Sequence, residues 1–450
     1  MRRLDNEVVS AFLNAASAPL EAHRSGSLDE AERIRAEHPD VVSANIYTAA
    51  VVADEGHVRS FLELDAGLAT QTGGPRDWDA LTCLCFSRYL RLDRSRSDAF
   101  VRVARLLLEA GADANTGWVE MIDHPNPRPM QEAVIYGAAG VAQHPELTRL
   151  LLEYGADPND GETPYHAPET RDNTTVQVLL DSGKLNANSL ATLLLRKCDW
   201  HDEAGVRLLL AHGADPNHMT IWGYTALHQA IRRDNGLDTV EALVAHGADP
   251  LLPSRDGWSA VRIAAHRGRG DVLRLCQQRG IDIHLEGIDG LIAACALDES
   301  DEIQELLTLH PEWQERLVAE GGALLAVFAG VGNRAGVRRL LQLGVWVDSL
   351  YRHGDGYFEI APGSTALHVA AWRAQHDVVE ELIAHGASVN ARDGRGRSAL
   401  QLAVKACVDS YWMGRRSPES VRALLAAGAD ASDITLPTGY AEIDVLLGEP

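Results

Sequence analysis

The chain has 450 residues, with 41 Lys and Arg against 64 Asp and Glu, a net charge of -23 before histidine is counted. That excess repels a phosphate backbone over most of the surface and argues against nucleic acid as a partner. No run reaches the roughly 18 to 20 uninterrupted apolar residues that a membrane helix needs, and Arg2 and Arg3 are followed by LDNEVV rather than the apolar core of a signal peptide. A soluble, cytoplasmic protein is expected, with no membrane partner.

From the N-terminus, residues 7 to 45 have the apolar spacing of a helix pair. The next apolar runs carry Cys83 and Cys85, which are about 200° apart around a helix and cannot share a metal. All six cysteines (Cys83, Cys85, Cys198, Cys276, Cys295 and Cys407) read as reduced core thiols. A phrase L-L-x-x-G-A-D-x-N closes at Asn115 as LLLEAGADAN. It returns as LLLEYGADPN ending at Asn159, LLLAHGADPN ending at Asn217 and ELIAHGASVN ending at Asn390. A second phrase stands upstream of it: YTALHQA at 224–230 and STALHVAA at 364–371, with weaker SAVRIAAHRG at 259–268 and SALQLAV at 398–404. A repeat of about 33 residues is too small to bury its own apolar face, so its stability must come from its neighbours.

The TALH phrase resembles, residue by residue, the T-P-L-H-x-A opening of the ankyrin repeat, and the likeness extends over most of the chain. The resemblance implies an all-α fold, an ankyrin-repeat solenoid of stacked helix-turn-helix units with β-turn fingers. It implies about twelve repeats of bacterial type, several degenerate: a capping helical repeat at 1–45, the stack at 46–432 and a capping helix at 433–450. Thr225 and Thr365 are placed to cap inner helices, and Gly247 and Gly386 to end outer ones. His228 and His368 then tie neighbouring turns by hydrogen bonds rather than act in catalysis. The surplus length between Asn115 and Asn159 and between Asp348 and Asn390 predicts extended fingers at 117–129 and 349–363. Residues 306–332 keep helical apolar spacing but lack both phrases.

The resemblance further implies a concave groove, lined by fingers and inner helices, in which partners bind. Trp118, Trp222 and Trp258 fall in fingers, which are normally small and polar, and exposed aromatics anchor interfaces. Trp372 follows HVAA on an inner helix, at a groove-facing position, and Arg232 and Arg233 occupy the positions of Trp372 and Arg373. That strip favours an anionic partner. The stretch 118–235 adds His124, Tyr165, His166, Arg171, Asp172, Trp200 and Tyr224. Pro168 should cut its inner helix short, leaving a notch flanked by Tyr165, Glu169, Arg171 and Asp172. Asp199, His201 and Asp202 read as a solvated cluster around Trp200. There is no nucleophile elbow, phosphate loop or zinc-spaced histidine pair, so no catalytic residue, metal or cofactor is assigned. The expected function is a binding scaffold that recognises a protein partner through its groove and fingers. The alternative is an enzyme, or a binder of a small anionic or polar ligand, with a polar pocket built in the repeats from 118 to 235.

Overall fold

The structure, a computed structural model, describes residues 5–122 and 128–448; His124 and its neighbours from 123 to 127 lie outside the described residues. The chain divides into two compact units, Met1–Ala226 and Leu227–Pro450. Each unit is a stack of helix pairs. In unit 1 the inner helices Ile46–Val51, Ala80–Cys85, Val134–Tyr136, Glu162–His166 and Ala187–Asp199 pack one on the next, and the outer helices Glu55–Leu64, Ser97–Glu109, Pro145–Glu153 and Thr174–Asp181 do the same. In unit 2 the inner series is Ala260–His266, Ile288–Leu297, Glu312–Gly330, Ala366–Trp372 and Ala399–Val408.

The two helix types differ for a sequence reason. The inner helices Ala80–Cys85 and Ala366–Trp372 are short and rich in small residues, and every residue of both is buried. Outer helices are amphipathic: Ser97–Glu109 buries Phe100, Val103, Ala104, Leu107 and Leu108, an apolar stripe at helical spacing. That helix ends before Gly111, whose φ of 101° suits a residue without a side chain.

The repeated phrases do mechanical work. Asp113, Asp157 and Asp215 each accept a hydrogen bond from the backbone N–H two residues on, at 2.9, 3.0 and 2.8 Å, which fixes the turn after the outer helix. The closing Asn then reaches the next repeat: Asn115 accepts from Asp157 N at 2.8 Å and donates to Gly155 O at 3.2 Å. Asn390 repeats this with Asp430 N at 2.8 Å and Gly428 O at 3.0 Å. The TALH histidines tie turns as well, His228 Nε2 to Leu252 O at 2.9 Å and His368 Nε2 to Ala391 O at 3.0 Å.

Three departures from a plain stack matter for function. The finger at 117–129 is a regular antiparallel hairpin, β1 (Gly117–Ile122) with β2 (Arg128–Ala133), in which Trp118 pairs with Glu132. A side chain at Gly117 would sit 2.1 Å from Glu132 O, so only glycine lets the strands close there. The finger at 349–363 folds back on itself through the bridges Tyr351–Ser364 and Asp355–Ile360. Finally, the helix Glu312–Gly330 has 19 residues and starts just after the outer helix Ser300–Leu309 ends, so that repeat has a helical extension where a finger would stand.

Candidate functional site

The helical extension opens a groove in unit 2 of about 1130 Å³, walled by Trp258, Arg262 and His266 on one side, by residues 316–324 along the extension, and by Trp346, Leu350, Arg352 and His353 on the other. Its walls are unequal. On the first, Arg262 lies over the Trp258 ring at 4.1 Å, and Asp289 holds both Arg262 (2.7 Å) and His266 (2.6 Å), so the polar groups are mutually engaged. On the second, Trp346 is 65% exposed and Leu350 52% exposed, and Arg352 and His353 stand exposed at the rim. Of the residues singled out from the sequence, Trp258 alone lines this groove; Trp346, Leu350 and Arg352 are additions. The available signal is Trp346 itself, which stands in LLQLGVWVD where other repeats carry the Asp of the G-A-D phrase.

Trp372 is a correction. It was expected to face the groove but is only 5% exposed, because the folded-back finger covers it and Phe358 O accepts its Nε1–H at 2.6 Å. The neighbouring Arg373 is buried too, between Asp234 at 2.6 Å and the rings of Phe358 and Trp412 at 4.2 and 4.6 Å. Arg233 is half-buried against Tyr357 at 3.6 Å, and Arg232 donates to Gln229 at 3.3 Å. The expected basic strip is therefore largely stacked against that finger.

In unit 1 the helix Glu162–His166 spans five residues, the shortening that Pro168 dictates. Tyr165 touches His166 (ring centroids 4.8 Å apart) and Trp222 (5.6 Å), and Arg196 lies over it at 4.0 Å. The polar groups around this cluster are already spent. Arg196 binds Glu169 (2.7 Å) and Asp199 (2.6 Å), while His166 lies 3.1 Å from Glu162 and 3.0 Å from Glu169. Burial opposes a charge on His166, but the two carboxylates outweigh it and raise its pKa to about 9. A ring held protonated at neutral pH is no general base. Asp202 corrects a second expectation: it is 5% exposed and binds the fully buried Lys197 at 2.8 Å, so it does not belong to a solvated cluster.

Among the remaining candidates, Trp200 and Trp222 are 41% and 37% exposed. Arg171 and Asp172 are exposed, with Asp172 accepting from Thr174 N at 3.0 Å, and Tyr224 is half-buried with its carbonyl bonded to Thr220 N at 3.1 Å. Trp118 is half-buried and stacks on Trp78 at 5.6 Å. All six cysteines are buried thiols outside any disulfide. Among the described residues no helix is long and apolar enough to cross a membrane.

The family match agrees with this architecture. The chain matches the family of ankyrin repeats, described as three copies, over residues 194–287, 291–393 and 324–435, together a little more than half of its length. A comparison with curated proteins finds no match. Among solved structures it is similar to the human ASB11 ankyrin repeat domain, with 22% identity, 53% of this chain and 99% of that chain covered, and a TM-score of 0.24. The phrases, the ties they make between successive helix pairs and the family match lead to one assignment: this chain belongs to the ankyrin-repeat family.

Proposed function

We propose that this protein is a non-enzymatic scaffold of about twelve repeats, cytoplasmic and of bacterial type, capped by residues 1–45 and 433–450, and that it holds a protein partner in the unit 2 groove. One observation carries the reading. The repeat uses Asp at the position of Trp346 to fix its turn, as Asp113, Asp157 and Asp215 do. Trp346 gives up that hydrogen bond and presents an indole that is 65% exposed. A large aromatic with no structural gain at its position fits an interface anchor, with Leu350 and Trp258 extending the contact. Glu286 also lines the groove and Arg316 is paired with Glu320 at 3.8 Å, but Arg352 and His353 at the Trp346 rim favour a segment that flanks its apolar anchor with carboxylates, against a chain whose overall charge is -23.

The test is site-specific photo-crosslinking in the native host. A crosslinker at Leu350 should capture one defined protein, and the same group at Leu309, which is 65% exposed on an outer helix, should not. Equal capture at both positions, or capture at Leu309 alone, would remove the groove as the docking site.

A further inference from the structure

The β1/β2 hairpin in unit 1 buries two polar atoms that nothing among the described residues satisfies. Trp118 and Glu132 face each other across the strands and so project from the same face. Glu132 is 1% exposed and its Oε2 has no hydrogen-bond partner; Trp118 Nε1 is buried and has none either. His23 Nδ1 lies 3.9 Å from Glu132 but is already bonded to the Tyr136 hydroxyl at 2.8 Å, and its Nε2 is bonded to Leu20 O at 2.9 Å. In a singly protonated ring the hydrogen on Nε2 goes to Leu20 O, and Nδ1 accepts from Tyr136 and offers none to the carboxylate. Native interiors rarely leave such groups unmet, and an acceptor and a donor unmet side by side call for one ligand that answers both.

The surroundings define its charge. Glu120 lies on the same hairpin face, 29% exposed and 3.7 Å from His23 Nε2, and brings the cluster to solvent. Burial first, then Glu162, Glu120 and Asp160, push the Glu132 pKa up to about 8, against the opposing pull of His166. Such a group ionises readily once a cation arrives. The carboxylates sit beside packed aromatic rings: the His23 ring is 5.5 Å from Trp118 and 5.6 Å from Tyr136. Aromatic faces attract cations. Among the described residues no three His, Cys, Asp or Glu side chains are placed to hold a metal ion, and a carboxylate pair beside aromatic rings suits an organic ammonium.

We infer that unit 1 carries a site for a small organic ammonium bearing a neutral acceptor oxygen, with Glu132 and Glu120 receiving the ammonium and Trp118 Nε1–H donating to the oxygen. The ammonium can belong to a free amine or to the N-terminus of a peptide, whose first carbonyl supplies the oxygen. The site is separate from the unit 2 groove and independent of the partner reading.

Calorimetric titration of the full chain tests it, with ethanolamine and triglycine amide as probes and ethylene glycol and N-acetylated triglycine amide as uncharged controls. One or both ammonium probes should saturate, identifying the source, and the controls should not. Below pH 7 binding should release about one proton, read from the buffer dependence of the heat. Glu132→Gln, a neutral amide in place of a largely neutral acid, should weaken binding at least tenfold with the fold retained by circular dichroism. Trp118→Phe, which keeps a ring and removes the N–H, should weaken it severalfold. No saturation by either probe up to about 50 mM, far weaker than millimolar recognition, equal binding of the uncharged controls, or unchanged affinity in Glu132→Gln would each overturn the proposal.

Discussion

Asp234 and Arg373, 139 positions apart in the chain, meet at 2.6 Å with both side chains 3% exposed. Arg267 joins them at 2.5 Å from the other oxygen of Asp234. Burial alone would raise the Asp234 pKa, but the two guanidinium groups reverse that and hold it at about 2. The cluster ties the turn after Arg232 to the end of the finger-covered helix Ala366–Trp372.

Removing the carboxylate leaves two buried cations without compensation. Asp234→Asn should destabilise unit 2 by about 3–5 kcal/mol, measured by urea unfolding at neutral pH. Arg373→Met leaves one cation facing one anion and should cost clearly less. The wild-type contribution is present above the ordinary carboxylate range and should fade as pH falls from about 4 toward 2.

Glu132 gives the opposite pH signature. Its folded pKa lies above its unfolded value, so between about 4.5 and 8 the folded state binds more protons and stability falls as pH rises. Glu132→Gln should match wild type near pH 5 and exceed it near pH 8 by on the order of 2 kcal/mol, read from thermal melts at the two pH values. His166, raised to about 9 by its carboxylates, adds to the same alkaline loss in both proteins, since its contribution is full below about 6.5 and gone above 9.

His368 is a structural tie. Its Nδ1 accepts from the Thr365 hydroxyl at 2.8 Å and its Nε2 donates to Ala391 O at 3.0 Å. His368→Ala should cost about 2 kcal/mol through the lost cap and the orphaned carbonyl. Burial lowers the His368 pKa, so wild-type stability should fall as pH drops below about 6.5, and the alanine variant should lose less over that range.

Trp346→Asp restores the residue that the repeat uses elsewhere, and its carboxylate can accept from the N–H of Asp348 as Asp113 does from Asn115. The variant should be as stable as wild type or more stable, by up to about 0.5 kcal/mol, in denaturant unfolding. A loss of 1 kcal/mol or more would show that Trp346 has a packing role.

Much of this is legible in the sequence where one residue has one local job. The G-A-D-x-N phrase announces its own turn and tie, and Pro168 announces the five-residue helix Glu162–His166. The surplus at 349–363 is equally visible, but not its destination. Where that finger lies depends on Phe358 packing under Arg373 and beside Trp412, contacts between distant segments, and they bury Trp372. The groove is half-visible: residues 306–332 lack both phrases, yet that absence becomes a missing finger only once the helix is seen to start at Glu312. Glu132 has no sequence signal, since it lies just past the finger expected at 117–129 and only the pairing of β1 with β2 turns it inward.

The docking claim turns on Trp346. The affinity of the protein captured through position 350 should be measured by titration calorimetry against wild type and Trp346→Asp, with both folded to the same extent. Binding should weaken at least tenfold in the variant, a loss of about 1.4 kcal/mol or more. Equal affinity would contradict the account and move the docking surface elsewhere on the chain.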